Sequence, residues 1–185
     1  MSSSFPNSAK VVVIGGGVAG CSAAYHLAKF GWKNIVLLER DQLTSGTTWH
    51  AAGLIGQLGS SATITKLRNY SLNLYKQLEI ETGLSTGLKQ NGSLTVATTE
   101  GRLEELKRQV TTAQLFNVEA NEISIDQIKD LYPLINTSDV IGGIHIPRDG
   151  QADPVGVTNV LAKAAKLQGA KIIEHCSVNK ILIKN

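Results

Sequence analysis

Cysteine is scarce, with Cys21 and Cys176 the only two in 185 residues and far apart in the sequence. A zinc cluster or a redox pair needs a second thiol close by, so both read as reduced thiols, which suits a reducing compartment. Aromatic residues make up 5% of the chain, the formal net charge is +3, and the basic residues do not gather into a stripe. Nucleic acid is therefore not an expected partner. Long hydrophobic runs are missing too. The longest, around Val11 to Ile14, falls far short of the roughly 20 residues that cross a bilayer, so no membrane span is expected. Residues 1–10 hold neither Arg nor an apolar block and read as a short disordered start, not a presequence or secretory signal. No internal repeat or low-complexity tract is present. What remains, 42% hydrophobic and 18% charged, is the composition of a folded domain able to bury one sizeable core.

Lys10 to Ile14 is a β-branched run that stops at Gly15-Gly16-Gly17, and Val18 to Phe30 is an Ala-rich helical stretch closed by Gly31. With a second apolar strand from Asn34 to Glu39, these residues make one βαβ unit, whose crossover is expected to be right-handed. From Asp41 to Gly59 the chain is rich in Gly, Ser and Thr without a period, as in a flexible linker or a loop shaped around a ligand, and Thr48 and His50 beside Trp49 favour the ligand. A helix is expected from Thr63 to Thr82 and a strand from Ser93 to Thr98. Further on come a charged helix from Gly101 to Phe116, a short helix capped by Ser124, and a strand from Val140 to Pro147. After Asp153-Pro154 a helix from Val155 to Leu167 ends at Gly169. Lys171 to His175 and Ser177 to Ile183 then read as strands.

Gly15-x-Gly17-x-x-Gly20 lies between the first strand and the first helix, the setting in which this spacing signals a dinucleotide. Gly15 permits a tight turn, Gly17 lets a pyrophosphate approach the backbone, and Gly20 lets helix and strand pack closely. Val18 and Ala19 open the helix. Its unpaired N–H groups and positive dipole end favour phosphate by about 0.3 to 2 kcal/mol, besides the hydrogen bonds. Glu39 ends the second strand, where a carboxylate accepts from both ribose hydroxyls of an adenosine. That charge repels a 2′-phosphate and disfavours NADP, with Arg40 beside it placed over the adenine or in solvent. The fingerprint by itself does not separate FAD from NAD.

The segment Leu43-Thr-Ser-Gly-Thr-Thr-Trp-His-Ala-Ala-Gly-Leu54 resembles the dimethylglycine and sarcosine dehydrogenases, within the wider D-amino-acid-oxidase-like flavoprotein family. Gly15 to Gly20 with Tyr25-His-Leu-Ala28, then Glu39-Arg40, Gln151-x-Asp-Pro154 and Gly169-Ala170 extend the resemblance over nearly the whole chain. Only the Trp-His segment is specific to the subgroup with covalent flavin. The resemblance implies FAD as cofactor, with His50 bonded to the 8α carbon of the flavin. It implies that Gly46, Thr47, Thr48, Trp49, Ala51, Ala52, Gly53 and Leu54 wrap the cofactor, and that Val178 presents its backbone to adenine. A neutral imidazole is a competent nucleophile near pH 7, which agrees with the role of His50. The plainer reading leaves His50 as a hydrogen-bonding loop residue. His26 on a helix, and His145 and His175 on strands, read as packing or surface residues.

The fold implied is α/β, a Rossmann-like FAD-binding domain interrupted by part of an α+β substrate domain and incomplete within these residues. Residues 1-60 form its first FAD-binding segment, 61-150 the inserted region and 151-185 the second FAD-binding segment. One side of the first strand is expected to lack its neighbour and to expose backbone groups with an apolar face, leaving the isolated chain marginal, aggregation-prone or inactive. The activity implied is oxidation of the C–N bond of an N-methylated glycine, dimethylglycine or sarcosine. Hydride passes to the flavin, and water then releases formaldehyde and a demethylated amine. The partners are the small amine and an electron-accepting flavoprotein or oxygen, in the cytoplasm or alternatively the mitochondrial matrix. No metal ligand and no catalytic acid or base is assigned. The rivals are a noncovalent FAD amine or amino-acid oxidase, a nonenzymatic regulatory relative that controls a phosphatase, and an NAD enzyme.

Overall fold

The computed structural model describes residues 5–183, so residues 1–4 of the stretch read as a disordered start, and residues 184–185, lie outside the described part. The chain begins with β1 (Val11–Ile14), α1 (Val18–Lys29) and β2 (Ile35–Leu38), followed by β3 (Leu54–Ile55) and α2 (Ala62–Thr82). It continues through β4 (Ser93–Ala97), α3 (Glu100–Gln114), β5 (Asn121–Ile123), α4 (Ile125–Leu131) and β6 (Gly142–Ile146). The last elements are β7 (Gly150–Gln151), α5 (Pro154–Leu167) and β8 (Lys171–Ile173). Two compact units result: Met1–Gly53, Tyr75–Gly87 and Ala152–Asn185 make the first, and Leu54–Leu74 with Leu88–Gln151 the second.

In the first unit the parallel sheet has the order β1-β2-β8, with Val11 opposite Ile35 and Leu37 opposite Ile172. The central strand β2 buries Ile35, Val36 and Leu37, the continuous apolar run required of a strand covered on both faces. At the edge, β1 alternates instead, leaving Val12 51% and Ile14 56% exposed, the open apolar strand anticipated from the sequence. Helix α1 buries Cys21, Ala24, Tyr25 and Ala28, spaced along one helical face. It packs against α5, whose buried residues include Val160, Leu161, Ala164 and Ala165. Each large aliphatic side chain buried in this way stabilises the fold by roughly 1.5–3 kcal/mol. Asp153 caps α5, its carboxylate accepting from Val155 N at 3.1 Å and Gly156 N at 3.0 Å. Pro154 takes the first helical position, where no N–H is needed.

The second unit is built on an antiparallel sheet of order β4-β6-β5. Leu103, Leu106 and Val110 of α3 cover Ala97 and Ile144 of that sheet. Ser124 opens α4 with a reciprocal capping box, its hydroxyl accepting from Gln127 N while Gln127 Oε1 accepts from Ser124 N. The buried Asp149 carboxylate accepts from Gln57 N at 2.6 Å and Ser93 Oγ at 2.7 Å, tying the segment after β3 to the start of β4.

Several expectations change. Ser177 to Ile183 forms no strand, and Ile181, Leu182 and Ile183 are more than 70% exposed, because no described strand pairs with this stretch. His175 sits past the end of β8 with a left-handed φ of 56°, not on a strand. The two-residue pair β3 and β7, and the short polar β5, appear where no strand was read. The first unit also takes in residues 75–87, part of the stretch 61-150 read as an insertion. There Thr86 donates to Glu79 through both N and Oγ1, and its carbonyl accepts from Asp153 N at 2.8 Å.

Candidate functional site

The site is built at the carboxyl ends of the parallel strands, where open α/β sheets present their ligand crevice. The turn after β1 has Gly15 at φ 110°, a conformation L side chains rarely adopt, and Gly15 N donates to Leu38 O of β2 at 2.8 Å. A Cβ on Gly20 would run into the carbonyl oxygen of Gly15, and one on Gly17 would meet Thr48 Oγ1 at 2.9 Å. The tight turn at Gly15 and the close helix–strand packing at Gly20 are visible in this geometry, while the neighbour that crowds Gly17 is the Thr48 hydroxyl. Gly16, to which the sequence assigned no task, is equally constrained, since a Cβ there would sit 2.7 Å from Leu43 Cδ2 and 2.9 Å from Glu39 Cβ.

Glu39 closes β2 and folds its carboxylate over the glycine turn. Oε2 accepts from Gly16 N at 2.5 Å and Oε1 from Asp41 N at 2.9 Å. The Asp41 N–H holds this carboxyl below the usual glutamate range, with the Gly16 N–H and the Arg40 charge adding to it against a smaller opposing effect of burial. An ionised acceptor with further lone pairs therefore stands at the pocket edge. Arg40 Nε pairs with Asp41 Oδ2 at 3.2 Å, where both side chains are exposed. Ile14, Gly15, Leu38, Glu39 and Arg40 face Cys176, Ser177 and Val178 across an open pocket of about 250 Å³. Gly15, Glu39, Arg40 and Val178, four candidates from distant parts of the sequence, are brought together here.

The loop after β2 returns to the same turn. Thr44 N donates to Gly16 O at 3.1 Å, and the buried Thr48 hydroxyl accepts from Val18 N at 3.1 Å. This corrects the expectation that Val18 offers a free N–H, because its donor is already taken. Ala19 and Gly20 are the first-turn N–H groups that remain without an intrahelical acceptor, as the first α-helical bond runs from Cys21 N to Gly17 O. Thr48 opens a single 3-10 turn, Thr48–His50, that follows Gly46 and Thr47. The Trp49 and His50 rings, both exposed, lie with centroids 3.7 Å apart and planes tilted by 34°, and Ala51 and Ala52 follow, also exposed. Gly53 has φ 72°, accepts from Ala152 N at 2.8 Å, and has no room for a Cβ against Ala152 O. Leu54 belongs to the second unit and is 80% exposed, so the structure groups Gly46 to Gly53, without Leu54, with the glycine turn.

Cys21 lies under the turn, its thiol 3.7 Å from Gly16 O, and burial pushes that thiol up to about 12. Among the described residues no group of three His, Cys, Asp or Glu side chains is placed to hold a metal ion, and no helix is long and apolar enough to cross a membrane. A glycine cradle that Cβ atoms would fill, an ionised carboxylate beside it and a pocket at the strand ends fit the ADP half of a dinucleotide.

Comparison with known proteins agrees with this geometry. Residues 10–185 match the family described as FAD dependent oxidoreductase, DAO. The chain is 46% identical over 179 residues to mitochondrial sarcosine dehydrogenase of Homo sapiens, a match covering 96% of this chain and 20% of that protein. It is 43% identical over 162 residues to mitochondrial dimethylglycine dehydrogenase of Homo sapiens, covering 88% of this chain and 19% of that protein. It is also 40% identical over 179 residues to the mitochondrial pyruvate dehydrogenase phosphatase regulatory subunit of Mus musculus, covering 97% and 20%. Among solved structures, L-proline dehydrogenase from P. horikoshii superposes with a TM-score of 0.89 at 32% identity, over 98% of this chain and 48% of that one. The chain thus spans about a fifth of the length of these curated relatives.

Proposed function

Because the chain belongs to the family of FAD dependent oxidoreductases, we propose that it holds the ADP half of FAD at Gly15, Gly17 and Gly20. On this reading the protein oxidises the C–N bond of an N-methylated glycine of the sarcosine or dimethylglycine type. The observation that carries it is the attachment of the Trp49-His50 turn to the glycine turn through Thr48 Oγ1 and Val18 N. A phosphate cradle and a potential flavin-attachment residue are thereby parts of one local structure. The relatives named sarcosine dehydrogenase and dimethylglycine dehydrogenase support the substrate class.

Bound FAD supplies the hydride acceptor for the C–H beside the amine nitrogen, which is chemistry no side chain offers. The residues of this chain bind and orient. Glu39, ionised, would accept from the ribose hydroxyls, the Ala19 and Gly20 N–H groups would serve the phosphates, and the Val178 backbone would hold the adenine. Gly46 to Gly53 wrap the dinucleotide, with Leu54 as the continuation of that segment. His50 is exposed and carries a nucleophilic ring nitrogen in its neutral form, and we assign to it the covalent bond to the flavin. The electrons would pass on to a flavoprotein acceptor or to oxygen. The mitochondrial relatives favour the matrix over the cytoplasm.

A second reading is favoured by the relative named as a phosphatase regulatory subunit, which matches over as much of the chain as the dehydrogenases do. A regulator has no use for a nucleophilic imidazole at position 50, so His50 supports the enzyme. A noncovalent oxidase would keep the same glycine turn and use His50 as a contact alone. The test is anaerobic mixing of the purified, flavin-loaded gene product with sarcosine and with dimethylglycine. Bleaching of the flavin absorbance together with formaldehyde release is the expected result, and a flavin unmoved by either amine would remove the assigned substrate class.

A further inference from the structure

The loop that carries the site is held from outside by one carboxylate. Past the ends of β2 and β8 the two chains stay zipped by backbone bonds: Glu39 N to Ile173 O at 2.9 Å, Cys176 N to Glu39 O at 2.8 Å and His175 N to Asp41 O at 2.8 Å. The left-handed φ of 56° at His175 turns the chain away there. The next bond in the series is made by a side chain, Glu174 Oε1 accepting from Leu43 N at 2.8 Å across 131 residues of sequence. Glu174 thus acts as a substitute carbonyl that extends the ladder over the first residues of the loop. The effect reaches the cradle directly, since Leu43 Cδ2 packs on Gly16, and the adjacent Thr44 N donates to Gly16 O at 3.1 Å. Gly16 N is in turn held by Glu39 Oε2.

We propose that Glu174 is a positioning residue for the dinucleotide site, setting the glycine turn and Glu39 through Leu43 and Thr44 while touching no ligand itself. The inference rests on the reading of the turn as an FAD site. It predicts that Glu174→Ala frees Leu43 N and loosens residues 41–44, whereas Glu174→Gln keeps an acceptor of the same reach.

The test measures FAD affinity of the full-length gene product by fluorescence quenching with wild-type Glu174, Glu174→Ala and Glu174→Gln, each in a His50→Ala background that keeps the flavin removable, alongside the rate of tryptic cleavage after Arg40. Expected are an affinity about fivefold weaker for Glu174→Ala, the size of one hydrogen bond, faster cleavage after Arg40, and recovery of both in Glu174→Gln. Equal affinity and equal cleavage with wild-type Glu174 and with Glu174→Ala would overturn the positioning role. Loss of both in Glu174→Gln as well would overturn the acceptor argument. Absence of FAD binding with wild-type Glu174 would instead overturn the FAD site itself, which separates the two failures.

Discussion

Thr48 Oγ1 accepts the backbone N–H of Val18 at 3.1 Å, so a hydroxyl 30 residues downstream caps the helix that starts in the glycine turn. The bond fixes where the Trp49-His50 turn leaves the loop. Thr48→Val keeps the shape and removes the acceptor. Stability is expected to fall by about 1 kcal/mol, the usual worth of an N-cap, while Thr48→Ser stays close to wild type. Urea unfolding followed by circular dichroism distinguishes the two substitutions.

Gly20→Ala places a methyl group against the carbonyl of Gly15. Backbone cannot yield as a flexible side chain does, so the strand–helix approach must open. A loss of about 1–3 kcal/mol is expected, as for other overpacked sites, with weakened flavin retention. Gly101→Ala, far from the glycine turn in sequence and meeting nothing within 4 Å, serves as the comparison in the same melting and flavin-content assays.

These two substitutions also mark what the sequence reveals. The run Val11 to Ile14 followed by three glycines can hardly form anything but strand and turn, and the role of Gly20 follows from spacing alone. Asp153-Pro154 and Ser124 announce their helices because capping is a local interaction. The Thr48 cap and the Glu174 bond to Leu43 are not legible, since each joins residues far apart and neither has a pattern of its own. Ser177 to Ile183 misleads for the converse reason. Its apolar residues suit a strand, but a strand exists only through a paired neighbour, and none is described beside it. Leu54–Ile55 and Gly150–Gln151 are too short to display any period.

Glu39 and Glu79 both contribute to the acid side of the stability profile. Glu39 is held below the ordinary value of 4.5 first by the Asp41 N–H, and Glu79 by the Thr86 hydroxyl and then the Thr86 N–H. A depressed folded-state value means that the unfolded chain takes up protons first as pH falls. The stability they add is therefore complete above 4.5 and is lost as pH drops below it through the lower folded values. Melting temperature should be level from neutral pH to about 5 and decline beneath that. Glu79→Gln should lower the melting temperature near neutral pH and change it much less in acid, as thermal melts across that range will record.

The two thiols should respond differently to alkylation. Cys21 is fully buried and pushed up to about 12 by that burial, so almost none of it is thiolate at neutral pH. Cys176 is only partly buried and lines the pocket with Glu39 and Val178. Maleimide labelling followed by mass spectrometry of the native protein is expected to modify Cys176 and spare Cys21, with both modified in denaturant. Bound FAD should slow the reaction of Cys176. Undiminished labelling at saturating FAD would move the adenosine out of that pocket.

His50 is proposed to carry FAD through a covalent bond, at the end of the segment that begins in the glycine turn. The measurement that tests it most directly is flavin fluorescence in a denaturing gel of the full-length gene product, run beside His50→Ala. Fluorescence that travels with the wild-type polypeptide and is absent from His50→Ala is the predicted result. Fluorescence lost from the wild type, or retained in His50→Ala, would contradict it.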